Sequence, residues 1–140
     1  MNPGSREFYK ADAFTNWKLP WGWDLGKQWR LQTGLEITGG WLTDVGKDAA
    51  VGSLGPHLTL SWGRLPITLR GGVSPTLLSS HEFSDADLGI NFQFTTHVGV
   101  DWNFARHWSV GYRYEHISNA DISPSNPGLN MSLLGLTYRF

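Results

Sequence analysis

From Ile90 to Phe104 the even positions read Ile90, Phe92, Phe94, Thr96, Val98, Val100, Trp102 and Phe104, and the odd ones Asn91, Gln93, Thr95, His97, Gly99, Asp101 and Asn103. Alternation sustained for 15 residues predicts a strand with one apolar and one polar face. Trp108 to Ser118 repeats the pattern, with Trp108, Val110, Tyr112, Tyr114, His116 and Ser118 opposed to Ser109, Gly111, Arg113, Glu115 and Ile117. Asn130 to Phe140 does so again, setting Leu134, Leu136, Tyr138 and Phe140 against Gly135, Thr137 and Arg139. Upstream, Trp29 to Trp41, Leu54 to Trp62 and Leu65 to Ser74 alternate in the same way, and a weaker strand is predicted over Phe8 to Trp17.

Seven strands in one domain predict an antiparallel up-and-down β-barrel, and alternation alone leaves open which face points inward. A lipocalin-like barrel buries the apolar face, whereas a transmembrane barrel turns it to lipid. Volume favours the second arrangement. A barrel of eight strands holds little beyond its own side chains, and Gly34, Gly55, Gly99, Gly111 and Gly135 lie on the polar faces while the bulky rings lie on the others. Connections agree: "NFARHW" and "WGRLPI" are short, whereas "LTDVGKDAAVG", "LSSHEFSDADLG" and "SNADISPSNPG" are longer and polar, the pattern of periplasmic turns and external loops. Because single-chain bacterial barrels have even strand numbers, the expectation is an eight-stranded protein whose first strand and signal peptide are missing here. "MNPGSRE", residues 1–7, lacks a basic start and an apolar core and reads as a fragment's edge or a cloning remnant.

Composition narrows the chemistry. The 8 Trp, 7 Phe and 4 Tyr include Trp29, Trp41, Trp62, Trp102, Trp108 and Tyr138 near predicted strand ends, as in an interfacial aromatic belt. With no Cys, thiolate metal sites and Cys nucleophiles are excluded. Eleven Lys and Arg against 12 Asp and Glu, scattered singly, provide no basic surface for nucleic acid.

Candidate chemistry sits on the apolar side of one strand. His116 and Ser118 are two residues apart, so they share a face at a spacing of roughly 7 Å. If Trp108 pairs with Tyr138, the same register sets His116 opposite Asn130. A Ser, a His and an amide gathered at the loop end of a lipid-facing wall fit nucleophile, general base and base-orienting group acting on an ester near the headgroup boundary.

"HISNADISPSNPGLN" resembles the His-x-Ser-Asn-Ala stretch, followed by Asn-x-Gly, of the PagL-type lipid A 3-O-deacylases of Gram-negative outer membranes. "WGWDLGKQWRLQTG" and "NFQF" extend the similarity upstream. The resemblance implies an eight-stranded outer-membrane barrel that removes the ester-linked 3-hydroxyacyl chain at position 3 of lipid A without metal or other cofactor. By position it makes Ser118 the nucleophile and His116 the base. It assigns Asn119 and the backbone near Ala120 and Asp121 to oxyanion stabilisation, Asn126 to loop ordering and Phe94 to the acyl-chain groove. Two positions depart from the family pattern: Asn130 stands where a Glu is usual, and Asp121 where a Gly is usual. An amide oxygen can still accept the His N–H; Asp121 either repels the oxyanion or replaces the absent carboxylate.

Other polar residues have structural readings. His57 and His97 belong to a polar interior network, Arg113 and Glu115 to an interior ion pair, and Glu82, Asp85 and Asp87 to a solvated loop. The main alternative to an esterase is a non-catalytic structural or adhesin-like barrel; a soluble lipocalin-like binder is disfavoured by the polar interior.

Overall fold

The computed structural model describes residues 9–44, 47–82, 88–120, 122–124 and 128–138. Among these, seven antiparallel strands form one curled sheet in sequence order. They are β1 (Tyr9–Leu25), β2 (Trp29–Thr43), β3 (Asp48–Trp62), β4 (Ile67–Leu78), β5 (Phe92–Trp102), β6 (Trp108–Ser118) and β7 (Leu129–Tyr138). β1 and β7 do not pair with each other among the described residues. Between them opens a cavity of about 360 Å³, lined by Lys10, Asp12 and Phe14 on one side and Leu134 and Leu136 on the other.

The alternation resolves as the volume argument requires. Along β5, Gln93, Thr95, His97 and Asp101 are buried, whereas Phe92, Val98, Val100 and Trp102 are exposed. Inside, Lys10 Nζ lies 3.0 Å from both Asp12 and Glu115, Arg113 Nη1 lies 2.6 Å from Glu36 Oε1, and Arg70 Nη2 lies 2.6 Å from Asp101 Oδ2. Opposite charges thus hold β1, β2, β4, β5 and β6 together across the lumen. Arg113 and Glu115 do meet, at 3.7 Å, but the tighter partner of Arg113 is Glu36. His57 and His97 also point inward, as expected. Space there is tight: a Cβ on Gly34 would lie 2.5 Å from the His57 ring, which is why a residue without one faces it.

The charge network supplies a stability test. Replacing Glu36, 1% exposed, by Ala strips the carboxylate from Arg113 and Arg70. Arg70 keeps Asp101 at 2.6 Å, but Arg113 is left with only the 3.7 Å contact to Glu115, and losing its tight partner is expected to cost about 1–3 kcal/mol, read as a lower denaturant midpoint for the refolded barrel.

Three features differ from the sequence expectation. β1 is longer than Phe8 to Trp17, running to Leu25 through a register shift between Lys18 and Gly22, a stretch where Pro20 breaks the alternation. The connection between β2 and β3 is not long, because Leu42, Ala49 and Val51 turn inward and extend both strands to Thr43 and Asp48. Those residues join Leu78, Leu88, Ile117, Leu129 and Met131 in an apolar plug, so the loop end of the interior is greasy rather than polar. The predicted belt is present: Trp29 packs on Trp62 and Trp108 on Tyr138 at the turn end, with ring centroids 6.0 and 5.1 Å apart.

Candidate active site

β6 pairs with β5 and β7 in a register that sets Ser118 opposite Phe94, and His116 between Thr96 and Asn130. Glu115 and Ile117, both 0% exposed, point inward. The pleat therefore sends His116 and Ser118 to the outer wall, where His116 and Asn130 are exposed and Ser118 is half-buried.

The His116 Nδ1 and Asn130 Oδ1 atoms lie 2.6 Å apart. An amide oxygen only accepts, so Nδ1 carries the hydrogen, and in the neutral ring Nε2 is then the nitrogen with the lone pair. A neutral imidazole in that tautomer is a base. The ring is also held from the loop side by Gly128, whose φ is +70° and whose Cβ, if present, would come 3.0 Å from His116 Cε1. Sequence reasoning gave Gly128 no role; its place just before β7, in "NPG", was the available signal. Gly128→Ala combines backbone strain at a positive φ with pressure that must shift the ring by a few tenths of an ångström, and misplacing a catalytic group by a full ångström is worth roughly 10²-fold in rate, which sets the upper bound. The expected result is a folded barrel whose turnover of the ester substrate proposed below falls by about 3- to 10-fold.

Asn119, placed by resemblance in the oxyanion region, is fully buried, and its Nδ2 donates to the Leu88 carbonyl at 2.9 Å. Its side chain is thus directed into the plug rather than toward the outer wall. The chain then turns sharply: Ala120 has a φ of 54°, and Ile122 N–H donates to Asn119 O at 3.1 Å. Ala120 itself is exposed. Asp121 and Asn126 fall outside the described residues, as do Asp85 and Asp87. Glu82 is exposed. Among the described residues, no group of three or more His, Asp and Glu gathers as a metal-binding set.

Phe94 lies on the outer wall beside Ser118 and meets Phe92 edge-on at 5.1 Å. Pro75 and Leu77 of β4 pair with Phe94 and Phe92, and both are exposed. Alternation on β4 and β5 thereby builds an apolar strip next to the hydroxyl. On the other flank, Tyr112 and Ser132 bond through their hydroxyls at 2.7 Å, leaving neither bare toward lipid.

Residues 10–139 match the family model described as lipid A 3-O-deacylase (PagL). The chain belongs to the lipid A 3-O-deacylase (PagL) family. Relatives of this PagL-family chain include the lipid A deacylase PagL of Bordetella bronchiseptica, 39% identical over 72 residues, which are 51% of this chain and 40% of that protein. The lipid A deacylase PagL of Pseudomonas aeruginosa is 29% identical over 121 residues, covering 79% of this chain and 69% of that protein. The chain thus matches less than half the length of the first relative and about two thirds of the second. The crystal structure of the outer membrane enzyme PagL superimposes with a TM-score of 0.82 at 20% identity, over 95% of this chain and 97% of that one. The seven-stranded sheet with its outward-facing apolar wall thus has the fold of that outer membrane enzyme. The family resemblance drawn from "HISNADISPSNPGLN" is borne out.

Proposed function

We propose that this chain is a lipid A 3-O-deacylase, hydrolysing the ester that carries the 3-hydroxyacyl chain at position 3 of lipid A in the outer leaflet. One observation carries the mechanistic reading: the 2.6 Å contact between His116 Nδ1 and Asn130 Oδ1, made on the same outer face as Ser118. A base held in its accepting tautomer is useful only where a proton has to be taken, and the Ser118 hydroxyl is its neighbour on the strand.

Ser118 Oγ attacks the ester carbonyl while its proton passes to His116 Nε2. Backbone N–H groups at Asn119 and Ala120 hold the developing oxyanion, helped by the sharp turn that Ala120 makes. Collapse breaks the bond to the sugar oxygen, which leaves with the proton from His116. Water, deprotonated by the same ring, then attacks the acyl–Ser118 ester; the tetrahedral adduct collapses to the free 3-hydroxy fatty acid, and Ser118 Oγ regains its proton. Phe94 and its apolar neighbours on β4 support the acyl chain, so that only its ester end meets the polar groups.

The test is to refold the full-length protein in detergent, incubate it with lipopolysaccharide and weigh the lipid A by mass spectrometry. Loss of one hydroxyacyl chain is the expected result. An unchanged spectrum would instead identify a non-catalytic barrel.

A further inference from the structure

Gln93 is the first inward residue of β5, fully buried and opposite Thr76 of β4 near the loop end. Burying an unbonded amide costs about 1–3 kcal/mol, so its hydrogen bonds define its use. Nε2 donates to Leu88 O at 3.0 Å and to Ile90 O at 2.7 Å. Leu88 O is the same oxygen that accepts Asn119 Nδ2, at 2.9 Å. Two lone pairs allow one carbonyl to take both amides. Leu88 is itself anchored: its side chain is 1% exposed within the plug and its N–H donates to His81 O at 2.8 Å.

Through these bonds the amide of Gln93 fixes a carbonyl of the β4–β5 connection, and that carbonyl fixes the side chain of the residue directly after Ser118. The backbone there then enters the left-handed region at Ala120, a conformation that costs a non-glycine residue about 1–2 kcal/mol and persists only when its surroundings hold it. We infer that Gln93 is a positioning residue, which through Leu88 O and Asn119 holds the peptide N–H groups after Ser118 in the geometry the oxyanion needs. The inference rests on the functional reading above. Gln93 faces the interior while Ser118 and Phe94 face outward, so it acts on the reaction without touching substrate.

A residue acting only through oxyanion geometry changes turnover and leaves substrate binding alone. In the refolded full-length protein, Gln93→Leu is expected to lower kcat on lipopolysaccharide roughly 10- to 10²-fold, with KM within about twofold. Gln93→Glu keeps the shape but turns oxygens toward two carbonyls, and is expected to lose at least as much. Thr95→Val is the control: Thr95 is the next inward residue of β5 and bonds Thr76 at 2.7 Å, away from Leu88. It should retain full turnover, and heat-modifiable gel mobility would report folding of all variants. Amide hydrogen exchange at Asn119 and Ala120 is the second readout, accelerated in Gln93→Leu but not in Thr95→Val.

If wild type deacylates and Gln93→Leu does so equally well, the positioning role is wrong and the functional reading stands. Equal losses in Gln93→Leu and Thr95→Val would also overturn it, since both would then report general loosening. If wild type itself is inactive, the functional reading fails; faster exchange at Asn119 and Ala120 in Gln93→Leu alone would still support the mechanical link, and unchanged exchange would refute it.

Discussion

Ser118→Ala is expected to abolish release of the 3-hydroxy fatty acid, lowering turnover by on the order of 10⁴- to 10⁶-fold, and His116→Ala is expected to do nearly the same. Without Oγ there is no nucleophile, and without the imidazole the hydroxyl keeps its proton. The two losses should not add, because nucleophile and base serve one proton transfer, so the double variant should be no slower than either single one. Both side chains are on the outer wall, away from the interior ion pairs and the plug, so folding should survive each change. Mass spectrometry of lipid A after long incubation, with gel mobility to show folded barrel, checks all three variants. A folded Ser118→Ala barrel that still deacylates would remove the hydroxyl from the mechanism.

That His116 and Ser118 share the outer face of the sheet was legible from periodicity. Residues 116 and 118 are in phase with Tyr112 and Tyr114, and a strand has only two faces, so the burial of Glu115 and Ile117 settles the direction of their neighbours. Register was legible for a similar reason. Aligning the aromatic ends Trp108 and Tyr138 across the sheet sets His116 against Asn130, as the structure has it.

What periodicity could not convey lies where it stops. Alternation ends at Ser118, so nothing in the pattern says that Asn119 turns inward to Leu88. Gly128 precedes β7 and is likewise out of phase with any strand, though its missing Cβ lets the backbone lie against the His116 ring. The apolar plug was hidden differently. Each contributing strand gives it only one or two inward residues, such as Ile117 on β6 or Val51 on β3, and singly these read as breaks in a polar face rather than as a cluster. Gln93 reads from sequence as an ordinary interior amide; the shared acceptor at Leu88 connects it to Asn119, the residue after Ser118.

The amide at position 130 sets the other large effect, and its sign is a gain. Asn130 Oδ1 accepts from the His116 N–H as a neutral oxygen. During attack the ring takes a second proton and becomes an imidazolium, which a carboxylate stabilises more than an amide does, since charge-assisted hydrogen bonds are roughly twice as strong. A buried triad loses about 10⁴ in turnover when its carboxylate becomes an amide. Asn130 stands on the open outer wall rather than in an enclosed triad, so a smaller difference than that applies. Asn130→Asp, which keeps the side-chain length and hence the short contact, is therefore expected to raise kcat about 10- to 10²-fold, with KM little changed. Asn130→Leu removes the acceptor, frees the ring to rotate and change tautomer, and should lower kcat by about 10². Initial rates of fatty-acid release at saturating lipopolysaccharide measure both variants. Asn130→Asp turning over no faster than wild type would mean that the amide does not serve as acceptor for His116 during the reaction, and Asn130→Leu retaining full rate would remove it from the site altogether.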